Sequence, residues 1–204
     1  MNSHRRRWLT LIALGSSAFM RLARAADDQL AKLFAELGSR RERQARFTER
    51  RFSALLKAPA ESSGTLVFRA PDILEKRTEK PQREVVRIEG TTVTYEGAPG
   101  RGEVQKRTFA LADAPQLAAL IESLRATLAG DLAALRRHYE VALSTSASAG
   151  WQLTLTPRER TLRDAVEKIV LRGAGGDVGA VEIVDAGGDL TLLRINPITA
   201  HAAK

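Results

Sequence analysis

The sequence predicts a mainly β protein with some helix, of the α+β class, organised as one large curved antiparallel sheet with helices packed on one face. Three observations lead there. About ten or eleven short β-type segments follow one another, separated by turn residues. Only an N-terminal stretch and one internal insertion carry helical periodicity. The first 25 residues have the form of an export segment, which leaves a single domain behind it.

The export segment is read from its order. Arg5, Arg6 and Arg7 form a basic cluster, the 13 residues from Trp8 to Met20 are apolar, and Ala23-Arg24-Ala25 is a small-x-small site. Thirteen residues are too few to cross about 30 Å of hydrocarbon as a helix. Cleavage is therefore expected between Ala25 and Ala26, with 1–25 as signal peptide and 26–204 as one mature domain in the periplasm. The run Arg5-Arg6-Arg7-Trp8-Leu9 also resembles a twin-arginine signal, so the general and twin-arginine routes both stay open.

This segment accounts for much of the charge. The whole chain has 32 basic and 24 acidic side chains, a net charge of +8 and an isoelectric point near 10.4, values that invite a nucleic-acid reading. Removing 25 of 204 residues and five of 32 basic side chains leaves 179 residues with 27 basic and 24 acidic ones, a net charge of +3. Nucleic acid is then no longer an expected partner. The chain has no cysteine, which excludes disulfides, thiolate metal sites, a catalytic thiol and an acylated N-terminal cysteine.

Along the mature chain, residues 27–37 place Leu30, Leu33, Phe34 and Leu37 on one helical stripe, and Gly38 can end it. The charged stretch 39–46 can continue that helix for a turn or two. Strands are expected over 46–57, 64–70, 73–79, 83–89, 91–96 and 104–110, with a tight hairpin at Glu89-Gly90. Asp113, Pro115 and Gln116 then form a helix start, and Leu117, Leu120, Ile121, Leu124 and Leu128 an apolar stripe that stops at Gly130. Asp131 can cap a short second helix with Leu132 and Leu135. Strands resume over 139–143, 150–156, 165–171, 178–184 and 190–195, two of the connections being rich in glycine.

Catalytic and metal chemistry find no footing. The mature chain has two histidines, His138 and His201, neither in a triad-like or metal-binding setting. Gly173-x-Gly175-Gly176 reads as a hairpin connection, since no helix follows it to cradle a phosphate. Glu159 with Asp164, and Asp185 with Asp189, lie in polar turns. A binding protein without cofactor or metal is expected. Arg40, Arg41, Arg43, Arg46, Arg50 and Arg51 read either as a salt-bridged solvent face or as a patch for lipid headgroups or an acidic partner. The apolar stripes fit a filled core or a hollow interior equally well, because spacing does not separate the two.

The order of several short motifs resembles a known family. Phe47-Thr48-Glu49 is followed by Gly64-Thr65-Leu66-Val67-Phe68-Arg69-Ala70-Pro71-Asp72-Ile73-Leu74, then Pro81, then Val86-Arg87-Ile88-Glu89-Gly90-Thr91-Thr92-Val93. Leu128-Ala129-Gly130-Asp131-Leu132, Trp151-Gln152-Leu153-Thr154-Leu155-Thr156-Pro157 and the closing glycine-rich strands continue the match. The pattern looks like that of LolA-type outer-membrane lipoprotein carriers, in a related branch, over nearly all of the mature chain. The resemblance implies an unclosed antiparallel barrel under a helical lid, whose lumen receives acyl chains. It implies a periplasmic chaperone-like carrier that takes acylated lipoprotein or lipid cargo from an inner-membrane donor to an outer-membrane acceptor. A monomer is expected.

On that resemblance, strand parity nominates Phe47, Leu66, Phe68, Val86, Ile88, Val93, Tyr95, Leu153 and Leu155 as wall, and Leu117, Leu120, Ile121, Leu124 and Leu128 as lid. Two positions depart from the family. Its best-known members place an arginine directly before the proline to hold the lid, whereas here Ala70 stands there, and Glu49 replaces a glutamine. A lid latch that is missing or built differently is expected. Carriage of a free lipid or polyketide-like product, or a structural envelope module without ligand, are the alternatives.

Overall fold

The computed structural model describes residues 26–98, 102–113, 115–146 and 150–198, with the side chains of 115–117, 119 and 120 outside that description. The expected signal segment, with Ala25, and the C-terminal His201 also fall outside the described residues; Ala26 is helical. The chain runs α1 (residues 26–38), β1 (Glu42–Phe52), β2 (Ala60–Arg69), β3 (Ile73–Lys80), β4 (Glu84–Glu89), β5 (Thr92–Gly97) and β6 (Gln105–Ala110). A 3-10 turn (Leu111–Asp113), α2 (Pro115–Ala129) and α3 (Leu132–His138) come next. Then follow β7 (Tyr139–Ser146), β8 (Gly150–Pro157), α4 (Arg160–Arg163), β9 (Val166–Ala174), β10 (Asp177–Asp185) and β11 (Leu190–Pro197).

All eleven strands form one antiparallel sheet in the order β6-β5-β4-β3-β2-β1-β11-β10-β9-β8-β7. Each strand pairs with its sequence neighbour, except that β1 pairs with both β2 and β11. That pairing joins the two halves of the chain, and the sheet stays unclosed and curved, with β6 and β7 as its edges. Successive connections therefore alternate between two rims. The β2–β3, β4–β5 and β9–β10 turns share one rim, and the β1–β2, β3–β4 and β10–β11 connections share the other.

One face of the sheet, here the inner face, is covered by helices. α1 buries Leu30, Leu33, Phe34 and Leu37, the stripe its spacing predicts, against Tyr139, Trp151, Leu153, Leu155, Ile169 and Leu171 of β7–β9. Each such side chain removed from water contributes about 1.5–3 kcal/mol. α2 spans two apolar clusters: Ala126 joins this one, while Ile121, with Ala118 and Leu124, packs on Ile88 and Val93 of β4 and β5. α1 and α2 approach closely at Gly38 and Gly130. A Cβ on Gly130, whose φ is +76°, would lie 2.3 Å from the Phe34 carbonyl oxygen, so no other residue fits there without displacing a helix.

Several local readings hold. Gly90, at φ +55°, makes the β4–β5 hairpin, and Asp131 caps α3 by accepting from the Ala134 amide at 2.8 Å. Others are corrected. Residues 42–46 do not extend the first helix; they are strand, because β1 has pairing partners on both sides, β2 and β11. β1 ends at Phe52 instead of 57, and β2 begins at Ala60 instead of 64. The Asp113 carboxylate accepts from the Ala110 amide at 3.2 Å. The one-turn helix α4 was not expected from the pattern.

On the outer face, charges pair across strands, as in Arg46–Glu79 and Arg50–Glu61 at 3.0 Å and Arg172–Glu182 at 3.2 Å. Glu75 is the buried member, held by Arg77 and, at 3.1 Å, by Arg87. Burial pushes its carboxyl up, but the hydrogen bonds and charges of the two guanidiniums outweigh this and hold it below the ordinary value. A carboxyl lowered in the folded state adds stability above its unfolded value, and that stability is lost as pH falls through the folded one. Glu75→Gln should therefore lose less stability than the wild type on acidification from about pH 5 to pH 3, measured by urea unfolding. Leu37→Ala, at a side chain with 0% exposure, should lower the unfolding free energy by about 2–5 kcal/mol in the same measurement.

Candidate functional site

The pairing register decides which side chains share a face. Phe47 stands opposite Gly64 and Ile195; Ala45 pairs Leu66; and the row Leu66–Lys76–Val86–Tyr95 crosses β2 to β5. The next row is Phe68–Leu74–Ile88–Val93. Across the β1–β11 junction, Leu193 and Val181 lead through Leu171 to Leu153, with Ile169 and Leu155 alongside. All nine wall positions nominated from parity thus lie on the inner face. Phe47, Phe68, Ile88, Val93, Leu153 and Leu155 are buried, whereas Leu66, Val86 and Tyr95 are half-buried.

Of the lid positions, Ile121 is buried against Ile88 and Val93, and Leu124 packs on the same cluster. Leu128 packs on the larger one. Leu117 and Leu120 lie on α2, and their side chains fall outside what is described. Among the described side chains, the helix is thus seated over the Phe68–Leu74–Ile88–Val93 row, with Val86 of the next row packed at the edge of the same cluster. Where α2 is described, Ile121 and Leu124 rest directly on the wall, contacts that an empty apolar void would forfeit. Two cavities among the described residues, of about 240 and 480 Å³, lie mainly on the outer face and are lined chiefly by polar residues such as Arg87 and Thr94, or Thr48 and Ser63.

α2 is fastened by a residue that sequence reading passed over. Arg125, 7% exposed, donates from one guanidinium nitrogen to the carbonyls of Asp72, at 2.6 Å, and Gly90, at 2.7 Å; the other pairs Glu122 at 3.0 Å. Asp72 and Gly90 lie in the β2–β3 and β4–β5 turns. The latch expected to be altered at Ala70 is therefore built from the opposite side: the lid supplies the cation, and the sheet supplies the acceptors. The signal was available, since an arginine four residues after Ile121 interrupts that helix's apolar face. A second arginine acts alike on α1. Arg43, facing inward from β1, donates to the Gly176 carbonyl at 2.6 Å and to that of Leu37 at the end of α1. Burial pushes the Arg43 guanidinium below its ordinary value, against the nearby Asp177 charge.

Lys76 and Leu74 were also missed on the wall, because the alternation in β3, Ile-Leu-Glu-Lys-Arg-Thr-Glu-Lys, carries no amphipathic signal. Lys76 pairs with Glu49, the residue that departs from the family pattern, and lies 5.1 Å from the Phe47 ring centre. The six arginines between 40 and 51 do not gather on one surface. Arg43 and Arg51 face inward and Arg46 and Arg50 outward, while Arg40, Arg46, Arg50 and Arg51 pair with Asp177, Glu79, Glu61 and Asp189. The other titratable groups serve structure. His138 Nδ1 lies 2.9 Å from Glu159, and the Asp185 carboxylate accepts from the Gly187 and Asp189 amides at 2.9 Å. Gly175, at φ +51°, forms the β9–β10 turn, as the hairpin reading expected.

A family described as outer membrane lipoprotein carrier protein LolA-like matches residues 22–204. A LolA superfamily protein from Nitrosomonas europaea is 12% identical, with 84% of this chain and 91% of that one covered at a TM-score of 0.44. The Pseudomonas aeruginosa MucA/MucB complex contains a chain 16% identical, with 87% and 59% covered and a TM-score of 0.44. No curated protein matches.

Removing the guanidinium leaves two turn carbonyls without their donor, so Arg125→Ala should cost about 2–4 kcal/mol of stability. It should also raise amide hydrogen exchange across residues 115–129 more than in α3. Arg125→Lys should recover only part of both, because an ammonium lacks the planar fork.

Proposed function

The chain belongs to the LolA-like outer membrane lipoprotein carrier family, and from that premise we propose that it shelters the acyl chains of lipoproteins in the periplasm between the inner and outer membranes. Family membership points to a carrier-type role in binding lipid or lipoprotein. The observation that carries the finer reading is the shared inner face, on which Phe47, Phe68, Ile88, Val93, Leu153 and Leu155 line up across the sheet, with α1 packed over Leu153 and Leu155 and the Arg125-held α2 over Ile88 and Val93.

The physical requirement is a closed wall that can be opened. Each acyl methylene left in water costs about 0.8 kcal/mol, so a chain of about 16 carbons needs on the order of 12 kcal/mol of apolar contact. In the closed state α2 satisfies the upper wall. Cargo would take its place, exchanging helix–sheet contacts for acyl–sheet contacts, so the empty and loaded states stay close in energy and release remains possible. The half-buried Leu66, Val86 and Tyr95 form the part of the wall that an acyl chain would reach before α2 moves. A donor at the inner membrane and an acceptor at the outer membrane would complete the route.

Native mass spectrometry of protein purified from the envelope should find an acylated polypeptide bound. A small lipid in its place would reassign the protein to free-lipid carriage, and persistently empty protein would leave a structural module. In solution, Leu66→Asp combined with Val86→Asp should weaken binding of a fluorescent fatty acid about tenfold or more, with unchanged circular dichroism. Undiminished binding by the folded double variant would exclude this face as the acyl site.

A further inference from the structure

We infer that the rim formed by the β1–β2 and β3–β4 connections docks on a membrane surface bearing anionic lipid headgroups, with Leu55 and Leu56 entering the headgroup layer. Leu55 is 93% exposed and Leu56 44% exposed, side by side in a loop that has a defined shape. The Leu56 amide donates to the Ser53 carbonyl at 3.0 Å, and the Leu55 amide lies 3.3 Å from the Ser53 hydroxyl. This turn holds Leu55 almost wholly in water and leaves nearly half of Leu56 there, at a cost that a partner would relieve.

The charge around them selects the partner. Lys57 follows the two leucines, and Lys80 and Arg83 flank the β3–β4 connection, which lies two strand spacings (about 10 Å) to the side and, since Lys80 pairs Ser63 while Ala60 pairs Arg51, three residues (about 10 Å) short of the β1–β2 connection. All three are exposed, and none is in an ion pair among the described residues. Of the acids on this rim, Glu61, Glu79 and Asp189 pair with Arg50, Arg46 and Arg51, while Glu84 accepts from the Tyr95 hydroxyl and Asp185 from the Gly187 and Asp189 amides. Lys57, directly beside the leucines, is left as an uncompensated cation. Apolar side chains with free cations on the same rim are an arrangement that an anionic lipid interface attracts. The opposite rim, where Arg125 and Arg43 bond the turns, has its cations bound to backbone carbonyls. The molecule would thus meet the membrane with the end that carries no helix latch.

This is independent of the acyl site and is tested apart from it. The purified protein should float with vesicles of phosphatidylglycerol and phosphatidylethanolamine, float less as salt is raised, and stay behind with pure phosphatidylcholine. Leu55→Asp combined with Leu56→Asp should abolish flotation, and each of Lys57→Glu, Lys80→Glu and Arg83→Glu should weaken it about fivefold. All of these variants should keep the wild-type melting temperature and the wild-type affinity for a fluorescent fatty acid, which separates docking from cargo binding. Wild-type protein that ignores anionic vesicles, or a leucine double variant that floats like wild type, would overturn the inference. Failure to float together with leucine-dependent capture of a purified envelope protein would assign the rim to a protein partner instead.

Discussion

An antiparallel sheet of eleven strands that does not close leaves one long apolar face, and most of this structure follows from the need to keep that face out of water. Backbone pairing builds the sheet, but it does nothing for the side chains on its inner side. α1 and α3 cover the β7–β10 half with a dense, ordinary core. On the β2–β5 half, among the described residues, α2 and the 3-10 turn pack through a cluster around Ile88, Val93, Leu111 and Ile121.

The helices are not held by packing alone. Arg125 and Arg43 each carry a charged, forked donor to backbone carbonyls at the same rim, one fastening α2 to two turns and the other fastening the end of α1 to the β9–β10 turn. Turn carbonyls at a sheet end have no ladder partner, so an arginine there satisfies acceptors and positions a helix at once. Such bonds are directional and few. They can be broken without disturbing the sheet, whereas an extended apolar interface of the same strength would open gradually.

Much of the inner face was legible in the sequence. Alternation in Gly64–Arg69, Val86–Ile88, Val93–Tyr95 and Trp151–Leu155 fixes which side chains share a side, and antiparallel pairing with a period of two keeps that parity from strand to strand. β3 was not legible, since Leu74, Lys76 and Thr78 on one side and Ile73, Glu75 and Arg77 on the other look alike in hydropathy. The arginine run before and within β1 was misleading for a related reason. As helix or as loop it would cluster; as a strand paired on both sides it sends alternate guanidiniums to opposite faces and hands most of them to acids far away in sequence.

The sequence by itself determined the class, the helical stripes and the parity of most strands, because these depend on periods of 3.6 and 2 that are local to each segment. Tertiary structure decided what no local period encodes. The β1–β11 pairing joined the ends of the chain into one wall. α2 came to rest on that wall through Ile121 and Leu124. Arg125 met two carbonyls 53 and 35 residues away, making a latch from the lid's side. Each of these is a contact between segments distant in sequence, set by how the curved sheet brings its rim to the helices, and a single residue's identity carries no record of it until the partners are in place.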